Sequence, residues 1–222
     1  MSKTFLGIAS GPGIGLATAR RFGRAGYRVV LATRNGARLQ ADAVKLREQG
    51  IETTTVQVDA VDAQAVARVV TSIGPELEVL HYNGGILHYD AAGSLQTRSL
   101  ADETIDTLVS DTKVNISSAL AAVHAAVPSM RTQGRGTVLL TGGGFGIQPS
   151  ADFLALSVGK AGTRAIVLAL FPALKEHGIH VATVTIAKIV AANSREAEEV
   201  AEAFWELHAQ QPAEWRAETF YQ

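Results

Sequence analysis

The chain has 222 residues, 47% apolar and 18% charged, with 20 basic against 21 acidic side chains. This is a globular composition with enough length for a sizeable core, and it carries no global basic field for nucleic acid or an anionic membrane. There is no cysteine, so disulfides, thiolate metal sites and a cysteine nucleophile are excluded, and the six histidines form no HExxH pair that would hold zinc.

Six short apolar runs read as strands: Thr4–Ala9, Tyr27–Ala32, Thr53–Val58, Glu78–Tyr82, Thr137–Thr141 and Ile179–Ile186. The stretches between them carry helical spacing. Ala65, Val66, Val69, Val70 and Ile73 share one predicted face, and Val109, Ile116, Leu120, Val123 and Val127 another. A further helix starts near Asp152, and Pro172 is expected to kink it or end its regular bonding. Val200, Phe204 and Leu207 mark a last helix, with the run Arg195–Glu199 as its solvated, acidic start. Strands that are apolar throughout and separated by helices predict a parallel sheet covered on both faces. The fold class is therefore α/β, a doubly wound parallel sheet in a single domain, with 190–222 as a C-terminal helix and tail. The longest apolar stretch short of a membrane span is Asn115 to Met130, interrupted by His124 and Pro128. A cytoplasmic protein with no membrane partner is expected.

The segment Gly7-Ile-Ala-Ser-Gly11-Pro-Gly13-Ile14-Gly15 follows the first strand and opens a helix. Glycines there permit a tight turn and let the backbone approach a pyrophosphate, while the helix N-terminus offers free N–H groups. The alternative is a plain β–α turn, which rarely needs three glycines in five residues. The second strand ends at Thr33 and Arg34, with no acidic residue to bind the adenosine ribose hydroxyls. A guanidinium at that point suits a 2′-phosphate and so NADP(H), unless Arg34 is merely solvated.

With these features the chain resembles the short-chain dehydrogenase/reductase family, over roughly residues 4–190. Asp59 matches the family aspartate at adenine. Asn83-Gly84-Gly85 resembles its Asn-Asn-Ala-Gly, with Tyr82 for the first asparagine. Asn115 matches the asparagine of the catalytic tetrad, and Lys160 the lysine of YxxxK. The resemblance implies a Rossmann-type domain. It implies an NADP(H) site made of Gly11, Gly13, Ile14, Gly15, Thr33, Arg34, Asp59, Asn83, Gly84, Gly85, Lys160 and Ile189. A small-molecule carbonyl or alcohol substrate and a homodimer or homotetramer, built on the Ala-rich helices around 105–130 and 152–175, follow from the same likeness.

The departures are specific. Leu156 stands where the family has its tyrosine and Gly143 where it has its serine, while Ile8 and Ala9 replace the first Thr-Gly of TGxxxGxG. A leucine has no proton to give, and losing a positioned general acid costs about 10²–10⁴ in rate. Two readings stay open: an atypical oxidoreductase with a substituted acid, or a catalytically inactive NADP(H)-binding sensor or scaffold. For the first, Lys160 and Asn115 are the retained catalytic positions, and His88 and Tyr89 are the candidate donors, unless both are merely partly buried loop residues. Ser157 is a weaker candidate. The tail Gln211–Arg216 either supplies a lid over the site or, through Trp215, packs the last helix.

Overall fold

The computed structural model describes residues 3–91 and 94–222. Among them, strands β1 (Thr4–Ile8), β2 (Arg28–Thr33), β3 (Thr53–Gln57), β4 (Leu77–Tyr82), β5 (Gly136–Thr141), β6 (Ile179–Ile186) and β7 (Glu218–Tyr221) form one sheet in the order β3-β2-β1-β4-β5-β6-β7. Every pairing is parallel. The order reverses between β1 and β4. The carboxyl ends of those two strands therefore flank the crevice where a doubly wound sheet binds ligands. Strands β1, β5 and β6 are buried along their whole length, which is why they read as predominantly apolar runs whose polar members are threonines and His180.

Two cores cover the sheet. On one face lie α1 (Ile14–Arg24), α2 (Gly36–Glu48) and α7 (Arg195–Ala209), through Leu16, Phe22, Leu39, Leu46, Val200 and Phe204. On the other lie α3 (Ala63–Ile73), α5 (Ser118–Gln133) and α6 (Leu154–Lys175), through Val66, Val70, Val123, Met130 and Val167. The acidic start of α7 is more than solvated. Glu198 pairs with Arg20, and Glu202 with Arg21 at 2.5 Å, so α7 is tied along α1.

Four sequence expectations need correction. First, α4 (Ile105–Thr112) runs into α5 through a π turn, Lys113–Ser117. The extra residue offsets α4 from α5, so Val109 does not share the buried face of Val123, and Leu120, on α5 itself, is half exposed as well. Tyr82, buried beneath the turn, donates its hydroxyl to the Val114 carbonyl. Second, α6 continues past Pro172 to Lys175. Pro172 lies on the solvent side, where the carbonyl it frees can reach water. This helix, not the 115–130 stretch, is long and apolar enough to cross a membrane by length and composition, but it carries Lys160 and Arg164 and packs on β6. Third, β7 was not expected; its Glu-Thr-Phe-Tyr run is too short and polar to show a strand pattern. Fourth, of the two readings of the tail, its own chain shows packing rather than a cover over the glycine turn. Trp215 stacks on His180 with ring centroids 4.7 Å apart, at the start of β6 and away from the glycine turn.

Candidate active site

The glycine turn lies at the carboxyl end of β1. No side chain caps α1, whose N-terminal residue follows Gly13 directly. A methyl group on Gly15 would come within 2.7 Å of Ser10 Cα and 3.2 Å of Asn83 Nδ2, so glycine there sets the close approach of helix to strand. The space around Gly11 is open. Ala9 takes φ of +54°, the left-handed conformation for which the family places a glycine. The buried hydroxyl of Ser10 has no partner among the described residues. An open backbone cradle, an uncapped helix end and an orphaned hydroxyl fit a dinucleotide pyrophosphate.

At the end of β2, Asn35 caps α2 by accepting from the Arg38 amide at 3.0 Å. That cap starts the helix so that the Arg38 side chain turns back to the strand end. Its Nη2 lies 3.3 Å from Thr33 Oγ1 and 3.5 Å from the Ser10 carbonyl. Arg34 is exposed beside it. The Arg38 guanidinium thus stands at this corner, and Arg34 is the residue next to the strand end. Arg38 is not singled out by the sequence pattern, although its spacing of one helical turn from Arg34 was a usable signal. Asp59 lies at the end of β3, its carboxylate accepting from the Val61 amide.

A hydrogen-bonded chain joins the central strand ends. Asn83 donates to the Ala9 carbonyl at 3.3 Å and accepts from Thr141 Oγ1 at 2.8 Å. The Thr141 hydroxyl also contacts His81 Nε2 at 3.0 Å. Lys160 Nζ donates to the Thr141 carbonyl at 2.7 Å and the Gly84 carbonyl at 3.3 Å. Burial lowers the Lys160 ammonium to about 8, and burial, with the Lys160 charge, lowers His81 to about 3. Asn115 sits in the π turn. Its Oδ1 accepts from the Ile86 amide at 3.0 Å, and its buried Nδ2 has no partner among the described residues. A methyl on Gly159 would lie 2.5 Å from Asn115 Cβ, so a glycine in α6 brings Lys160 up against the Asn115 helix. Ile189 is highly exposed in the loop after β6.

Leu156 is buried at the tyrosine position. A methyl placed on Gly85 would lie 3.0 Å from Lys160 Nζ and 4.0 Å from Leu156 Cδ1, so all three converge. A serine side chain at Gly143 would start 3.1 Å from Lys160 Cγ. Leu156 also lines a cleft with Ile86, His88, Leu108, Asp111 and Phe153, whose free interior is about 30 Å³, room for a water or two. In this cleft His88 Nε2 meets Asp111 Oδ2 at 2.8 Å. Tyr89 is more than half exposed and does not line the cleft. Ser157 is occupied structurally: its hydroxyl donates to the Phe153 carbonyl and accepts from the Ser150 amide. Asp111 is the site residue that sequence reasoning missed. It lies four residues before Asn115, but its partner is 23 positions upstream in a loop.

The sequence pattern of the family described as short chain dehydrogenase matches residues 3–202. Among curated proteins, the chain is 30% identical over 185 residues to a very-long-chain 3-oxoacyl-CoA reductase from Coprinopsis cinerea. The match covers 82% of this chain and 53% of that protein, so the chain spans about half the length of this relative. Among solved structures it is similar to a short-chain dehydrogenase from Rhodopseudomonas palustris, with TM-score 0.86, 21% identity, and coverage of 100% of this chain and 98% of that one. It is also similar to a metagenomic short-chain oxidoreductase in complex with NADP, with TM-score 0.85, 22% identity, and coverage of 99% and 97%. At these identities the two structures speak for the fold.

Proposed function

The chain belongs to the short-chain dehydrogenase family, a family of oxidoreductases, and we propose that it is an atypical NADP(H)-dependent member acting on a small carbonyl or alcohol. The observation that carries the proposal is the convergence, along the carboxyl ends of the interior strands, of the open glycine turn, the Arg34–Arg38 corner and Lys160. When bound, NADP(H) would supply or accept the hydride. The turn at Gly11, Gly13, Ile14 and Gly15 would hold the pyrophosphate, and Thr33, Arg34 and Arg38 the 2′-phosphate. Asp59 would meet the adenine. Asn83, Gly84, Gly85 and Ile189 would border the nicotinamide side, with Lys160 holding the ribose beside it.

Proton transfer needs a group other than Leu156. His88 lines the same cleft as Leu156 and keeps a side-chain exposure of 30%, so it can exchange protons with water and with a substrate seated at the mouth of that cleft. Lys160 and Asn115 position the cofactor and the loop around it. The proposal is tested by following NADPH oxidation over a panel of aliphatic, aromatic and cyclic ketones and aldehydes. Turnover that falls in H88Q supports it. NADPH binding without turnover on any of them favours the second reading, a cofactor-binding sensor. The hydroxyl-free pair Leu156 and Gly143 is what recommends that reading.

The proposal extends to self-association. Val109 on α4, Leu120 on α5, and Val158 and Leu168 on α6 are each 41–49% exposed, which suits a homodimer or homotetramer through these helices. Light scattering that gives a monomer at working concentration would refute it.

A further inference from the structure

The loop after β4 is held at two points by one helix. Asn115 accepts from the Ile86 amide, and Asp111, four residues earlier, meets His88 Nε2 at 2.8 Å. Asp111 is 4% exposed. A carboxylate so placed is costly unless a partner satisfies it, and His88 is the partner that the described contacts provide. The other charged groups facing this cleft are Arg98, ion-paired to Glu103 at 3.3 Å, and Asp152 at the approach to α6. Neither carboxylate contacts the imidazole in the described hydrogen bonds.

We infer that Asp111 is the positioning residue of a His88–Asp111 pair that gives and takes the substrate proton in place of the missing tyrosine. The inference rests on the oxidoreductase reading above. A carboxylate only accepts hydrogen bonds, so Nε2 must carry the proton that Asp111 holds. That fixes the tautomer and leaves Nδ1 as the ring atom free to serve the substrate. In the reducing direction, with NADPH as reductant, the Nδ1–H bond of the imidazolium breaks as an O–H bond forms on the carbonyl oxygen. The imidazole is left neutral, and water returns its proton through the exposed edge of the ring. Alcohol oxidation runs the same transfer backwards, with neutral Nδ1 accepting. Leu156 adds no chemistry; it forms the apolar wall between this pair and Lys160. Asn115 sets the height of the loop and Asp111 the rotation of the ring, so one helix fixes both.

The test is a double-mutant cycle on the full chain, using the carbonyl of the panel that turns over fastest. H88Q is expected to lower kcat by about 100-fold or more. It also removes the fall in reduction rate with rising pH that a histidine acid imposes. D111N, nearly isosteric, is expected to lower kcat by about 10- to 100-fold, while KM and the NADPH Kd stay within about twofold. D111E recovers part of the loss. In the H88Q background D111N adds little, because its whole effect passes through the imidazole. Nitrogen NMR of the neutral ring shows protonated Nε2 in the wild type and a tautomer mixture in D111N. Equal losses from D111N in both backgrounds, or an unchanged tautomer, would overturn the role of Asp111 and leave the oxidoreductase reading standing. Failure of the wild type to turn over any carbonyl, at undiminished NADPH binding, would overturn that reading and this inference with it.

Discussion

Replacing Lys160 with methionine exposes what the site demands of the fold. Burial lowers the Lys160 ammonium from 10.5 to about 8, and at about 1.4 kcal/mol per tenfold that corresponds to roughly 3 kcal/mol. The residue keeps partial exposure, and its bonds to the Thr141 and Gly84 carbonyls favour the charge, so an effective ~2 kcal/mol is expected. The folded pKa lies below the unfolded one. Between pH 8 and 10.5 the unfolded chain therefore binds more protons, and stability rises with pH across that window. Below pH 8 the folded state carries the full cost of the buried charge. The wild type should gain about 2 kcal/mol relative to K160M between pH 7.5 and 10.5. Urea unfolding of both proteins at steps of pH, followed by tryptophan fluorescence, measures the difference, and other alkaline titrations cancel in it. Parallel pH dependences would show that the ammonium is not desolvated, and the account of Lys160 as a functional residue held at a cost to the fold would fail.

Other substitutions test the turn and the remote end of the sheet. Relieving the left-handed Ala9 by A9G should stabilise by about 0.5–1 kcal/mol in thermal unfolding, net of the entropy glycine loses. G15A, whose methyl would sit 2.7 Å from Ser10 Cα, should lower Tm and weaken NADPH binding together; retention of both would contradict the close approach. His208 bonds Tyr27 and Thr137 and is lowered to about 4, chiefly by burial. It is neutral in the fold and charges in the unfolded chain, so its stability contribution is complete above pH 6.5 and is lost as pH falls to 4. The loss is roughly 3 kcal/mol at full burial and ~2 kcal/mol once the partial exposure of the ring is allowed for; His81 acts in the same direction, and acid melts of H208Q should be flatter than those of the wild type.

Much of the fold is legible because it rests on contiguous burial. β1, β5 and β6 are inaccessible on both faces and therefore predominantly apolar, their polar members being threonines and His180. The glycine turn is legible because Gly15 answers a local steric demand. What escapes the sequence has remote or subtle causes. The π turn adds one residue to a helix and leaves its composition unchanged, yet it takes Val109 off the buried face of Val123 and carries Asn115 in the site. β7 depends on the edge offered by β6 rather than on its own four residues. His88 could be named from its place after Asn83-Gly84-Gly85, but Asp111 acquires meaning only when the chain is folded and the two lie 2.8 Å apart. Arg38 likewise depends on the Asn35 cap that turns it toward Thr33.

The account stands most directly on cofactor binding. Fluorescence titration of the purified chain with NADPH and with NADH should show tight NADPH binding and NADH weaker by about tenfold or more, the value of one charge-assisted phosphate contact. R34A and R38A should each erode that preference without abolishing NADH binding. A folded protein that binds neither nucleotide would contradict the central claim, and with it both the oxidoreductase and the sensor readings.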